Sequence, residues 1–363
     1  MKRRDFLTKA GAGAALGAVA APAIAQNAPT VRWRLQTSWP KSLDTTHGGV
    51  EAMARRVLAL TEGKFDIRVA PAGEYVPGLQ VFDAVGSGSI EACHTLSSFF
   101  IGKHPALAFD SGMPFGLNQR QQSAWMNWGG GLDLTRDIFK QFGIINFSCG
   151  NVGVQMGGFY RKEIKSVADL KGLKMRIGGI GGTIMAKLGV VPQQIAPGEI
   201  YPALEKGVID AAEFIGSHDD EKLGLHKVAK FYYYPGWWEG SAQNTMLVNI
   251  KAWEALPKSF QEALEVAALA QDATMTANYD VKNPIALKKL ISQGTQLRAF
   301  PKSVMDACYK ATEETMAELS GKNADFKRIY DQWTKFRDEQ NLWFRVAENT
   351  LDQYRYAASA AKK

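Results

Sequence analysis

The chain is short of the residues that staple or clamp a protein. Of its 363 residues, three are cysteine and five are histidine. Cys93, Cys149 and Cys308 show no CxxC spacing and no nearby histidine pair, which argues against a structural zinc site. In an oxidising compartment they permit one bridge at most. Neither GxGxxG nor GxxxxGK[ST] occurs, and GxSxG and HExxH are also missing, so no nucleotide-binding or hydrolase signature directs the reading. Charge of one sign is scarce as well. The formal net charge is +7, and four Lys/Arg with one Asp in the first 25 residues supply +3 of it, leaving +4. That argues against a nucleic-acid partner. Beyond the N-terminus no apolar run is long enough to span a membrane.

What is present is ordinary folded composition, 46% hydrophobic and 22% charged, which excludes disorder, collagen and coiled coil. The length suits two domains of about 150 residues. Residues 1–25 read as a leader peptide. Lys2-Arg3-Arg4 precedes a mild apolar run, Ala10 to Ala21, and a small-residue cleavage site at Ala23-Ile24-Ala25. Arg3-Arg4-Asp5-Phe6-Leu7 resembles a twin-arginine signal and predicts export to the periplasm.

Alternation predicts strands at 31–36, 65–69 and 90–95. Between them, Val50, Met53, Val57 and Leu60 predict a helix over 47–60, and residues 79–88 a second. This order predicts a mostly parallel α/β lobe. A second set follows: strands at 173–177 and 210–214, helices through Ile184–Leu188 and Tyr201–Lys206, and a long helix from Pro257 toward Tyr279 that Pro284 is placed to kink. Residues 326–356 lack Gly and Pro and carry aromatics at helical spacing, predicting one long amphipathic helix. It packs either on its own lobe or on a second chain.

Several residues suggest chemistry. Gly178-Gly179-Ile180-Gly181-Gly182 reads as a tight turn at a strand end. Glu213 closes an apolar strand, where a carboxylate needs a cation or donors. Asp219, Asp220 and Glu221 read as a solvated helix start. His218 and His226 are spaced too far apart for a metal pair and read as locally hydrogen-bonded. Phe231 to Glu239 reads either as an edge strand packed into core or as the wall of a ligand pocket, with Glu239 at its base. Arg176 ends a buried strand, where its planar fork suits a carboxylate from Glu213 or from a ligand.

Asp169-Leu170-Lys171-Gly172-Leu173-Lys174-Met175-Arg176 resembles the DLKGLKxR segment of TRAP-transporter solute-binding proteins. Tyr201 to Glu213 resembles their YxALQxGxxDGxE segment, in the same order and separation. Tyr232 to Glu239 and the Asp219-Asp220 pair look like the subgroup that binds 2-oxo acids and lactate with a metal ion. The resemblance implies two α/β lobes joined by crossover strands and a long helix, closing on a small organic acid anion. By position, lobe 1 is 27–150 plus 215–250, lobe 2 is 151–214 plus 251–322, and 323–363 is a C-terminal helix through which the subgroup forms homodimers. Arg176 is implied to pair the ligand carboxylate, with Asn151 donating to the ligand and Phe100 covering it. A sodium or calcium ion is implied to bridge ligand and protein through Gln155, Glu213, the Phe214 carbonyl and Glu239. Such a receptor delivers its ligand to TRAP membrane subunits and catalyses nothing. The alternatives are a periplasmic sensor or scaffold on the same fold and an exported enzyme acting on an organic acid.

Overall fold

The computed structural model describes residues 29–360; the leader expected over 1–25 lies outside the described residues. The first alternating run forms β1 (Val31–Thr37), helix α1 spans Thr46–Leu60, and β2 spans Phe65–Ala70. β1 pairs in parallel with β2 on one side and with β3 (Ala92–Thr95) on the other. With β4 (Ile144–Asn151) and β10 (Gln243–Asn249) these make a five-stranded sheet, ordered β2-β1-β3-β10-β4. β10 runs antiparallel to both of its neighbours.

The second sheet is built from shorter strands: β5 (Gly158–Tyr160), β6 (Lys174–Arg176), β7 (Val191–Gln193), β8 (Ala211–Ala212), β9 (Phe231–Tyr234) and β11 (Gln296–Ala299). Their order is β11-β9-β5-β8-β6-β7. Helix α2 (Gly179–Lys187) follows β6, and α3 (Ser217–Lys222) follows β8. The chain changes sheet three times: between β4 and β5, between β9 and β10, and along the 35-residue helix α4 (Lys258–Ser292), which continues through Pro284. The result is the expected pair of α/β lobes joined by crossovers and a long helix.

The division between the lobes differs from expectation. β9 falls within 215–250, assigned to lobe 1, yet it pairs with β5 and β11 in the second sheet. The first half of α4, assigned to lobe 2, places Phe260, Leu264 and Ala267 in one core with Trp33 and Phe65 of the first sheet and Val50 of α1. Alternation and helical stripes reveal that a face is buried; they do not say which sheet buries it.

The C-terminal helix is interrupted. A π-helical turn over Arg345–Asn349 separates α5 (Ala324–Phe344) from α6 (Thr350–Ala360). The first part packs on its own chain, with Phe326, Ile329 and Trp333 buried and Phe326 5.0 Å from Phe109. From the end of α5 onward, Trp343, Val346, Leu351 and Tyr354 are exposed. The three thiols are buried and free, and β10 lies between the strands of Cys93 and Cys149. No helix among the described residues is long and apolar enough to cross a membrane.

Candidate functional site

Two of the sheet changes carry side chains into the space between the lobes. Gln155 lies in the first and Glu239 in the second, joined by an isolated antiparallel bridge between Gln155 and Gly236. Arg176 ends β6, and Glu213 and Phe214 follow β8, which pairs with β6. These five residues line one narrow cavity, together with Ser98, Phe99, Trp238 and the glycines at 178, 179 and 181.

Arg176 is 2% exposed and is fully engaged on one side. Its Nη1 donates to Glu213 Oε1 at 2.5 Å and to the Glu213 carbonyl at 2.6 Å, and its Nε donates to the Ile195 carbonyl at 3.3 Å. Of the two partners expected for this guanidinium, the structure holds it on Glu213. The rings of Phe99 and Phe214 flank it, their centroids 5.9 and 5.5 Å from Cζ. Glu239 accepts from Ser98 Oγ at 3.1 Å and from Gln155 Nε2 at 2.6 Å, while Trp238 Nε1 donates to Gln155 Oε1 at 3.2 Å. A serine from lobe 1 thus touches an acid carried by a crossover.

The cavity holds two acids, the buried Glu213 and the partly buried Glu239, and one arginine. Burial pushes the Glu213 carboxyl upward, against the pull of Arg176. Burial also lifts Glu239 to about 8, with the Glu213 charge adding to it. An excess of acid in a water-poor space favours an added cation. The side-chain oxygens of Gln155, Glu213 and Glu239 suit a hard ion such as sodium or calcium, and no sulfur or imidazole joins them.

Some expectations fail. Phe100 is buried against Phe82 at 4.9 Å, within the first lobe, and it is Phe99 that lines the cavity. Both sit on one 3₁₀ turn, Ser97–Phe100, where neighbouring side chains diverge by about a third of a turn, so only one faces inward. Asn151 lies outside the cavity lining: its Nδ2 donates to Ser241 Oγ at 2.8 Å and its Oδ1 accepts from Gly153 N–H. The glycine run is no simple turn, since Gly179 opens α2. Its smallness is needed, because a Cβ on Gly181 would lie 2.8 Å from the Trp238 Cβ.

Asp219 and Asp220 are fully buried, not solvated. Each is held by a tyrosine hydroxyl, from Tyr279 and Tyr232 respectively. Glu221 does face solvent and pairs with Lys289. His218 reaches across to Asp44 at 2.9 Å, a distant partner and not a local one. The aromatic run serves both core and cavity, but its strand is not the edge strand expected. Tyr232 and Tyr233 enter the core from a strand that is internal to its sheet, while Trp238 and Glu239 wall the cavity. Ser98 was missed, although a polar pair after the buried strand β3 is the kind of signal that marks a lining residue.

These buried acids give a pH dependence. Asp220 is raised to about 7 and Glu239 to about 8, both chiefly by burial. Between about pH 4 and these values the fold holds protons that the unfolded chain has released. Their stabilisation is therefore present at low pH and lost as pH rises through 7 and 8. His47 and His94, lowered by burial, oppose this only below about pH 6.5. Protein stripped of ligand and cation should show a falling melting temperature from pH 6.5 to 8.5. A melting temperature that rises over that window would contradict the assignment.

Residues 36–323 match the family described as bacterial extracellular solute-binding protein, family 7. A monocarboxylate 2-oxoacid-binding periplasmic protein of Nostoc sp. is 48% identical over 98% of this chain and 99% of its own length. A TRAP transporter solute-binding protein from Bordetella bronchiseptica is 60% identical, with a TM-score of 0.91 over 92% of this chain and 100% of its own; it is a mixed-occupancy dimer with copurified calcium and picolinate in one active site. A TRAP periplasmic solute-binding protein from Pseudoalteromonas atlantica, with bound sodium and pyruvate, is 36% identical, with a TM-score of 0.87 over 89% of this chain and 99% of its own. A match this long, joined to the two-lobed fold and a cavity between the lobes, has one consequence: the chain belongs to the bacterial extracellular solute-binding proteins of family 7.

Proposed function

We propose that the protein is the periplasmic receptor of a TRAP transporter, taking a 2-oxo or 2-hydroxy monocarboxylate together with sodium or calcium and passing it to the membrane subunits. The observation that carries this is the convergence of Arg176 with the oxygen donors of Gln155, Glu213 and Glu239 in one cavity between the lobes. In this reading Arg176 exchanges Glu213 for the ligand carboxylate, and Glu213 turns to the cation. Gln155, the Phe214 carbonyl and Glu239 complete the ion's oxygen shell. Pyruvate and picolinate, held by the related proteins, share a carboxylate beside a second donor atom. Each can close a five-membered chelate ring on one cation, so a picolinate-like acid belongs to the same chemical class. Lobe closure by hinge motion then excludes water from the charges.

The protein returns its ligand unchanged; conversion of a candidate acid in a turnover assay would overturn this. Mass spectrometry of small molecules released from the denatured protein, with elemental analysis, tests the rest. The expected result is a chelating carboxylate with about one equivalent of sodium or calcium. A carboxylate without metal would overturn the cation roles of Gln155, Glu213, Phe214 and Glu239.

The exposed end of the C-terminal helix supports a homodimer, with export directed by the twin-arginine leader. Trp343, Val346, Leu351, Tyr354 and Tyr356 are each more than half exposed, which a lone chain rarely tolerates in one segment. Trp343→Glu combined with Leu351→Glu should give a monomer by light scattering with ligand affinity retained. A wild-type monomer at micromolar concentration would sink the dimer.

A further inference from the structure

We infer that Asp220 is a positioning residue that aims the Phe214 carbonyl into the cation site, without itself touching cation or ligand. The inference rests on the reading of that carbonyl as a cation donor. The carbonyl of Phe214 and the N–H of Ile215 belong to one peptide unit. That unit is planar and trans, so the two groups point in opposite directions. Whatever fixes the N–H fixes the carbonyl.

The Ile215 N–H donates to Asp220 Oδ1 at 3.3 Å. The other oxygen of the same carboxyl accepts the Tyr232 hydroxyl at 2.7 Å. Tyr232 sits in the interior of the second sheet, stacked on Phe159 with ring centroids 4.1 Å apart. Asp220 is fully buried and is not among the cavity-lining residues. The following carbonyl, that of Ile215, accepts the Met156 N–H at 3.0 Å, next to Gln155. The loop after β8 is thus clamped on both sides of Ile215, and one clamp leads back to a residue of the cation site. An acceptor behind an amide N–H also polarises it and enriches the carbonyl oxygen that faces away. A donor held in place before the ion arrives loses less freedom on binding it.

The test is calcium titration of the mature protein by calorimetry, at saturating pyruvate, with melting curves alongside. Asp220→Leu keeps the forked shape at a larger volume and removes the acceptor; calcium affinity should fall by about tenfold or more. Asp220→Asn still offers an oxygen to the Ile215 N–H and should recover most of that loss. Tyr232→Phe removes the other bond to the same carboxyl; it should lower the melting temperature yet leave calcium affinity within about twofold. A folded Asp220→Leu with wild-type calcium affinity would overturn the inference. Should Asp220→Leu not fold, the order decides. Asp220→Asn must weaken calcium more than Tyr232→Phe does, and the reverse order overturns the inference. Glu213→Gln separates the two levels. If it binds calcium as the wild type does, the site reading fails and this inference with it. If it loses calcium while the Asp220 variants keep it, only this inference fails.

Discussion

Arg176→Ala is expected to weaken carboxylate binding by about 2–5 kcal/mol, roughly thirtyfold to several thousandfold. The guanidinium is 2% exposed. Its fork is held by the Glu213 carboxylate, the Glu213 carbonyl and the Ile195 carbonyl, beneath two aromatic rings. A ligand carboxylate entering without it meets Glu213 and Glu239 with no arginine between them. The variant carries a second cost. Glu213 loses its buried counter-charge, and breaking such a pair typically costs about 3–5 kcal/mol of stability. Calorimetry must therefore run well below the lowered melting temperature. Arg176→Lys keeps the charge and loses the two-pronged geometry, so it should fall between wild type and alanine. A folded Arg176→Ala protein with unchanged ligand affinity would remove Arg176 from carboxylate recognition.

The parts of the fold that sequence reveals are those with local causes. β1, α1 and β2 follow from alternation and a 3.6-residue stripe within 40 residues of chain. The cavity positions of Arg176, Glu213 and Glu239 were also legible, because a charge at the end of an apolar segment is costly wherever it lies. Other features depend on partners remote in sequence. Asp219 and Asp220 look like an ordinary acidic helix start until Tyr279 and Tyr232 arrive to bury them. Phe99 and Phe100 are alike in composition, and only the 3₁₀ turn decides which of them faces the cavity. Asn151 sits four residues from Gln155, but the sheet has ended between them and its amide is claimed by Ser241. β9 has an apolar pattern that either sheet would accept, and its place follows from pairing with β5.

Glu213→Gln should abolish the cation requirement while leaving weak, cation-independent ligand binding. In the wild type, removing sodium and calcium should lower ligand affinity sharply, since the ion neutralises an acid and chelates the ligand at once. The variant keeps the shape of the site and an oxygen for Arg176, which now lies 2.5 Å from the carboxylate it would lose. What disappears is the negative charge that attracts the ion, since Glu239 is raised to about 8. Losing a buried charged partner costs about 2–5 kcal/mol, so calcium affinity should drop by at least tenfold. Arg176 is then left with a buried positive charge and no acidic partner. The ligand carboxylate becomes its counter-ion, which is why binding should persist and become insensitive to chelator. Glu239→Gln provides the contrast. Its carboxyl already carries a proton at neutral pH in the cation-free site, with its pKa raised to about 8, so the amide resembles it and the loss should be smaller. Elemental analysis and titration with and without chelator decide the matter. A Glu213→Gln protein that purifies with full cation content, or whose ligand affinity still falls on chelation as the wild type's does, would show that the ion is held elsewhere.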